Sequence, residues 1–129
     1  MSRAPERGAV AVEFAIVAPV LVMLLLGIIE FSRAYNAQAS LSAAAREGVR
    51  VMAITGNQTT ARSAAKTTAV SLSPGLQDAN ITFGAACPST VSSGTSPQAT
   101  ITITYSLPTM TGIAGPFTMT SRGAMLCGG

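Results

Sequence analysis

The chain contains no histidine and no tryptophan, and among its 129 residues only 8 are basic and 5 are acidic. Without histidine, neither a histidine general base, nor a histidine metal ligand, nor a Ser-His-Asp triad can be assembled. Two cysteines are too few for a structural zinc site made of cysteine alone. We therefore expect no catalytic residues, no metal site and no cofactor, and the composition argues against an enzyme.

Aromatic residues are also scarce, at 5% of a chain that is 48% hydrophobic. The apolar content is thus mainly aliphatic, and the length is that of one domain. The net charge of +3 is small and no cluster of Lys and Arg is visible, so a nucleic-acid partner is not expected.

Charge is distributed unevenly along the chain. Only Asp78 and Arg122 are charged after Lys66, where Thr, Ser, Gly, Asn and Gln supply the polarity. The 16 residues Phe14–Ile29 carry no charge, and extending the run back to Gly8 adds only Glu13 as an interruption. Because about 20 apolar residues are enough to cross a bilayer, this segment has the length of a membrane span.

Three interpretations of this segment compete. A cleaved secretory signal would use the small-residue site Ala37-Gln38-Ala39, which lies well past the apolar run. A retained signal anchor would be held with its N-terminus inside by Arg3 and Arg7. The third interpretation is a processed pilin-like helix, and it depends on Glu13.

An acid inside a membrane span costs roughly 2.5–3.5 kcal/mol on insertion scales, so a generic anchor has no reason to carry one. If the chain is cut after Gly8, the new N-terminal residue is Ala9, and Glu13 is then the fifth residue. Its carboxylate could neutralise the α-amino group of a neighbouring subunit, and it would lie near the positive end of the helix. A Gly before the cut and a Glu five residues after it are typical of type IV prepilin-like proteins.

Three segments carry a more specific resemblance: RGAVAVEFAIVAPV at 7–20, GIIEFSRA at 27–34 and AAAREGVR at 43–50. Over roughly Arg7 to Ala53 the chain resembles the TadE-like proteins, pseudopilins of the tight-adherence (Tad, or Flp) pilus system. Phe14 follows Glu13 where the major Flp pilins usually have Tyr, and those pilins are much shorter. Both departures favour a TadE-like pseudopilin over the main pilin.

The resemblance implies a structural protein of a Tad-type adhesive pilus. A prepilin peptidase would cut between Gly8 and Ala9, Glu13 would register the subunit, and the chain would become oligomeric in a filament. Implied partners are that peptidase, other pilins and pseudopilins, the Tad secretion machinery and the membrane. The implied location is the bacterial inner membrane, single-pass with the N-terminus inside and the head outside, or the extracellular pilus after assembly. The alternative is a signal-anchored extracytoplasmic binding or scaffold protein that does not enter a filament.

Residues 9 to about 53 predict one long helix, with no strong breaker before Thr55-Gly56-Asn57. At 1.5 Å per residue this helix would span about 67 Å, more than twice the hydrocarbon thickness, so its second half must leave the membrane. Pro19 predicts a kink, or is a tolerated transmembrane proline. The predicted organisation is a leader at 1–8, a transmembrane part at 9–29, an extracytoplasmic stalk at 30–54 and a head at 55–129.

Beyond the span, a stripe of small residues at helical spacing predicts a packing seam, either on the subunit's own sheet or on neighbouring helices. Its members are Ala34, Ala37, Ser40, Ala44 and Gly48.

The rest of the chain predicts one more helix and about three strands. The helix is expected from about Thr59 to Leu72, and the strands at 79–84, 99–107 and 116–127. In the middle strand Ala99, Ile101, Ile103, Tyr105 and Leu107 share one face; in the last, Phe117 and Met119 share one. The predicted fold class is α+β and pilin-like, with a small antiparallel sheet.

Cys87 and Cys127 both fall in the part expected outside the cytoplasm, where disulfides form. A structural disulfide between them is the favoured interpretation, and two free thiols the alternative.

Overall fold

The structure, a computed structural model, describes residues 4–90 and 93–128. The predicted α+β class is confirmed, because within these residues two helices precede a three-stranded antiparallel sheet. Residues 1–3 of the predicted leader, including Arg3, lie outside the described part, as do residues 91 and 92 and the C-terminal Gly129. The elements are α1 (Ala4–Thr55), α2 (Gln58–Thr68), β1 (Ile81–Phe83), β2 (Gln98–Leu107) and β3 (Phe117–Leu126), with one 3-10 turn at Asp78–Asn80 before β1.

The chain divides within α1 into two compact units, Met1–Arg33 and Ala34–Gly129. What is described of the first unit is a single apolar helix. The second unit, the head unit below, contains the rest of α1, α2 and the sheet. Most of the stalk predicted at 30–54 therefore lies in this unit, and its residues between Ala37 and Ala53 contribute to the core.

The predicted break at Thr55-Gly56-Asn57 ends one helix and starts the next. Gly56 adopts a positive φ of 64° and its N–H donates to the Met52 carbonyl, which is how glycine commonly ends a helix. Asn57 then caps α2, because its Oδ1 accepts from the N–H groups of Thr59 and Thr60 at 2.9 and 3.2 Å. Helix α1 thus ends at Thr55, the chain turns at Gly56, and Asn57 caps the start of α2.

Helix α2 ends at Thr68, earlier than the predicted Leu72. Its last turn holds two β-branched residues, Thr67 and Thr68, whose hydroxyls donate back to the carbonyls of Ser63 and Ala64. Such residues lower helix propensity, and the chain leaves the helix at Ala69. Leu72 is buried all the same, but from the turn that follows.

The sheet has the order β1-β2-β3, and both pairings are antiparallel. Strand β2 lies in the middle, and the predicted face of alternate residues from Ala99 to Leu107 is buried. The other face of the sheet is polar and rich in threonine; we call it the outer face. On β3, Phe117 and Met119 share one face as predicted, opposite the buried Leu107 and Tyr105 of β2; Met119 packs against the core, whereas Phe117, at the start of the strand, is exposed.

One hydrophobic core fills the head unit, between the inner face of the sheet and the two helices. Helix α1 contributes Leu41, the alanines at 44 and 45, Val49 and Met52, and α2 contributes three small residues, Ala61, Ala65 and, at its end, Ala69. The largest side chains that are buried completely are Leu41, Met52, Ile81, Ile101 and Ile103. Large aliphatic residues on the sheet thus face small residues on the helices.

Two glycines let the sheet and helices approach closely. A Cβ on Gly48 would lie 2.8 Å from Ile101 Cδ1 and 3.2 Å from the Ala65 Cβ. A Cβ on Gly123, in β3, would lie 2.8 Å from the carbonyl oxygen of Ala45 in α1. The small-residue seam therefore packs on the chain's own sheet and on α2, as the first of its two interpretations predicted, at least for Ala37, Ala44 and Gly48, which are buried.

A polar clamp connects α2 to the start of the sheet. Arg62 Nη1 donates to the carbonyl oxygens of Asp78 and Ile81, both at 2.7 Å, and its guanidinium lies 5.1 Å from the centre of the Phe83 ring. Lys66 Nζ lies 2.7 Å from Asp78 Oδ1. The hydrogen bond from Lys66, aided by the charges of Lys66 and Arg62, lowers the pKa of Asp78 against a smaller opposing effect of desolvation. The clamp therefore holds the 3-10 turn against α2.

Candidate assembly site

The first unit exposes a continuous apolar surface on all sides of its helix. Within the described residues, α1 is the one helix long and apolar enough to cross a membrane, and none of its most apolar 18-residue window is buried. A helix that is hydrophobic all round suits a lipid surrounding or a bundle of like helices. This unit therefore has the properties of a membrane anchor. Its large exposed residues include Val10, Val12, Phe14, Ile16, Val17, Val20, Leu21, Val22, Met23, Leu24, Leu25, Ile28 and Ile29.

Glu13 lies within this apolar surface and is exposed. Its helical neighbours at three and four residues are Ala9, Val10, Ile16 and Val17, so the same face offers it no polar side chain. In the part of the chain that the structure describes, the Glu13 carboxylate makes no hydrogen bond or ion pair. A lipid surrounding would leave this acid without a counter-charge unless another group supplies one.

The other acids beyond Glu13 have partners within the chain. Glu30 Oε2 lies 3.7 Å from Arg33 Nη1, one turn later. Glu47 accepts two hydrogen bonds from Arg50, at 3.0 and 3.1 Å, and this contact lowers the pKa of Glu47 and raises that of Arg50. Asp78 is held by Lys66, so Glu13 differs from the three acids that follow it in having no ion pair among the described residues.

The predicted cleavage residues Gly8 and Ala9 lie inside α1 and are exposed. The helix begins before them, so the leader residues from Ala4 onward continue it without a break. Nothing lies within 4 Å of the position that a Cβ on Gly8 would take. The peptide bond between Gly8 and Ala9 is thus uncovered in the single chain, and its cleavage stays a prediction.

Pro19 lies inside α1, and the helix continues on both sides of it. Proline has no N–H, so the carbonyl of Ala15 loses its usual helical donor. The predicted kink stays a prediction, whereas helical continuity through Pro19 is observed.

The predicted disulfide between Cys87 and Cys127 is present, with the two Cα atoms 5.5 Å apart. It joins the segment after β1 to the end of β3, and the Cys127 N–H also donates to the Pro97 carbonyl at 2.9 Å. The covalent bond and the backbone bond together fix the end of β3. No group of three or more potential metal ligands occurs among the described residues.

One residue gained importance only from the structure. Arg122 was noted in the sequence as one of two charges after Lys66, but not as a candidate site. The structure places its side chain on the outer face, opposite Thr102, beside an open depression of about 360 Å³ lined by Thr100, Ala124 and their neighbours. A single charge among alternating threonines was the available sequence signal.

A comparison with known protein families agrees with the resemblance noted from the sequence. The family model described as "TadE-like protein" matches residues 8–50, about a third of the chain. This match includes Gly8, Ala9, Glu13 and Pro19 and ends at Arg50, within the second half of α1. No curated protein and no solved structure matches the chain. The chain therefore carries a TadE-like N-terminal segment.

Proposed function

We propose that this protein is a minor pilin or pseudopilin that enters a Tad-type adhesive pilus after a prepilin peptidase has cut it between Gly8 and Ala9. The observation that carries the proposal is the Glu13 carboxylate, which lies unpaired in an otherwise apolar, uncovered helix surface. The family match over residues 8–50 supports the same proposal, because it begins at Gly8, the residue before the proposed cut.

Cleavage changes the charge balance of the span. It removes the leader with Arg3, Glu6 and Arg7 and creates a cationic α-amino group at Ala9. Glu13 then lies at the end of the first helical turn, where the helix dipole favours a negative charge. In a bundle of such helices, Glu13 of one subunit pairs with the Ala9 amino group of the next. Each pair neutralises two charges that would be costly alone in lipid, and so fixes the axial register.

The mature helix serves first as an anchor and then as a packing element. The head unit lies outside the cytoplasm, consistent with its disulfide. The exposed side chains of the span contact lipid while the subunit waits in the inner membrane. In the filament they contact the spans of other pilins, and the same apolar surface serves both surroundings.

The first test is the N-terminus of the chain purified from its own cells. We expect mass spectrometry to find Ala9 as the first residue, and replacement of Gly8 by Leu to leave the leader attached. An intact leader on the wild-type chain would refute processing. It would favour a membrane-anchored binding or scaffold protein that stays out of the filament.

The second test separates registration from processing. Glu13→Gln removes the charge but keeps the shape, and Glu13→Asp is the matched control that keeps the charge. Since a hydrogen bond to a charged group contributes about 1.5–3 kcal/mol, we expect Glu13→Gln to reduce the protein in sheared pili by roughly tenfold or more. Cleavage at Ala9 should continue in both variants. Wild-type incorporation of Glu13→Gln would contradict the registering role and leave the cleavage result standing.

A further inference from the structure

Strand β3 leaves one edge of the sheet open. In the described chain it is the last strand of the order β1-β2-β3, and it is ten residues long. The Cys127 N–H donates to the Pro97 carbonyl, which fixes which residues bond across the β2–β3 ladder. The odd-numbered residues of β3 direct their backbone N–H and C=O groups towards β2. The backbone groups of the even-numbered residues, 118 to 126, therefore point away from the sheet.

The opposite side of β2 gives an independent check of this assignment. The Gly84 N–H donates to the Thr100 carbonyl, so the even-numbered residues of β2 make their backbone hydrogen bonds with β1. The odd-numbered residues of β2 must then bond with β3, which agrees with the hydrogen bond at Cys127. Apart from the ladder with β2, no backbone hydrogen bond within the described residues involves 118–126.

The core is also incomplete beside this edge. Met119 and Met125, on the inner face of β3, pack against the core but are only partly buried. Natural sheets commonly protect long edges with lysine, proline or a bulge. Strand β3 has no lysine or proline and pairs with β2 residue for residue, without a bulge.

Arg122 gives the edge a specific charge. Its side chain lies on the outer face at an outward-bonding position and is exposed. Across residues 4–90 and 93–128 it has no ion pair or hydrogen bond. A guanidinium offers a planar set of donors that fits a carboxylate.

A second copy of this chain fits the edge poorly. Two β3 strands paired around a twofold axis would bring the two Arg122 side chains together or near each other, and like charges in that position are destabilising. The three acids that follow the apolar span, Glu30, Glu47 and Asp78, are each held by a cation of their own chain. A different protein is therefore the better source of a carboxylate for Arg122.

From these observations we propose that the outer edge of β3 binds an extended segment of another protein by strand addition. The segment carries apolar residues at alternate positions that cover Met119 and Met125. On its other face it carries an Asp or Glu that pairs with Arg122. Backbone hydrogen bonds to the even-numbered residues supply affinity, and the acid opposite Arg122 supplies register and specificity.

The test is crosslinking of the full chain in the membrane of its own cells. A photoreactive benzophenone residue replaces Ala124, at the edge, or Thr104, on the same face of the middle strand. We expect the crosslinker at position 124 to give one adduct with a different protein. The crosslinker at position 104 should give far less of this adduct, because the middle strand lies two strand spacings, roughly 9.6 Å, from an added strand. Sequencing of the crosslinked peptide should show alternating apolar residues and an acid.

Matched variants decide whether the contact is strand addition. Thr120→Pro removes an outward N–H and spares the β2–β3 ladder, whereas Thr120→Val keeps it. Arg122→Glu reverses the charge, whereas Arg122→Lys keeps it. We expect the first variant of each pair to reduce the adduct by about tenfold or more, and the second to retain most of it. Changing the partner's acid to Lys should restore the adduct of Arg122→Glu.

Several results would overturn the proposal: an adduct of two copies of this chain, no adduct at Ala124, or an adduct that survives Thr120→Pro. Each variant is first checked for an intact disulfide and an unchanged melting temperature. If Thr120→Pro unfolds, Ala124→Pro, which carries no crosslinker, is used in its place, and its ability to compete with the photoreactive chain for the partner is measured. The inference does not depend on cleavage at Ala9. The N-terminal mass is measured in the same samples, so failure of one proposal is distinguishable from failure of the other.

Discussion

Gly123→Ala tests the packing of the sheet on α1 most directly. The added Cβ would lie 2.8 Å from the carbonyl oxygen of Ala45, 3.2 Å from its carbonyl carbon and 3.1 Å from Val49 Cγ1. Two of these three atoms belong to the helix backbone, which cannot rotate away as a side chain can. Relief of the contact requires β3 and α1 to separate.

The expected magnitude follows from two opposing effects. Inserting a methyl group into a packed core typically costs 1–3 kcal/mol. Replacing glycine inside a strand returns about 0.5–1 kcal/mol, because alanine has less freedom in the unfolded chain. Since the obstacle is backbone, we expect a net loss of about 2 kcal/mol in the free energy of unfolding. For a unit of this size that is a fall of roughly 8–16 °C in melting temperature.

Two other glycines serve as internal controls. At Gly48 the two nearest atoms, Ile101 Cδ1 and Ala65 Cβ, belong to side chains and not to the backbone, and alanine is favoured in a helix by about 1 kcal/mol. We expect Gly48→Ala to change the free energy of unfolding by less than about 1 kcal/mol. At Gly115 a Cβ would meet nothing within 4 Å, and Gly115→Ala should leave stability unchanged or slightly higher.

The assay is thermal unfolding of the full chain in detergent micelles with the disulfide intact, followed by near-ultraviolet circular dichroism. The chain has no tryptophan, and both of its tyrosines lie in the head unit, so the tyrosine signal reports on that unit. Tyr105 is 3% exposed and Tyr35 is 70% exposed, so Tyr105 reports on the core. The expected order of melting temperatures is Gly115→Ala highest, then Gly48→Ala, then Gly123→Ala. Equal melting temperatures for Gly123→Ala and Gly115→Ala would refute the close approach of β3 to α1.

Two further predictions concern the disulfide and the polar clamp. Cys87→Ser removes the disulfide that joins residues 40 positions apart, and a chain-entropy estimate gives this bond about 4 kcal/mol of stabilisation. The variant should therefore melt well below the oxidised wild type and at the same temperature as the reduced wild type. Asp78→Asn removes a carboxylate whose pKa is lower in the folded than in the unfolded chain. The contact with Lys66 therefore stabilises the fold at pH values above the unfolded pKa of about 3.9, and this stabilisation is lost as the pH falls through the folded pKa. Asp78→Asn should therefore melt below the wild type at pH 7, and the difference should vanish in strong acid and shrink in high salt; a difference that persists in acid would contradict the sign.

The alternation of β2 made its buried face predictable, because a strand with one face on the core places every second residue inward. The helix break was also predictable, since Gly56 and Asn57 each have a conformational preference that acts locally. In both places the residues that determine the structure are adjacent in sequence.

The features that the sequence did not predict depend on contacts between residues far apart in the chain. The exposure of Phe117, on the same face of β3 as the partly buried Met119, has no signal in the strand's own residues. Arg62 reaches residues 16 and 19 positions later, so the clamp that shapes the start of β1 was not visible in the local pattern. The closeness of Gly123 to Ala45 likewise depends on the tertiary fold.

The candidate site divides in the same way. The pattern of Gly8, Ala9 and Glu13 could be recognised in the sequence because the proposed processing and registration depend on spacing along one helix. The open edge of β3 could not, because an edge is defined by the strand order, and the sequence does not state which of three strands lies in the middle.

The unpaired charges then distinguish two kinds of contact. Glu13 lies in an apolar surface and requires a cation that tolerates lipid, which the amino terminus of any processed subunit, including a second copy, supplies. Arg122 lies on an exposed, threonine-rich face and requires a carboxylate, which a second copy does not offer, because the acids that follow the span are paired internally. The two proposals therefore assign different partners to the two charges: processed subunits of the same kind for Glu13, and a different protein for Arg122.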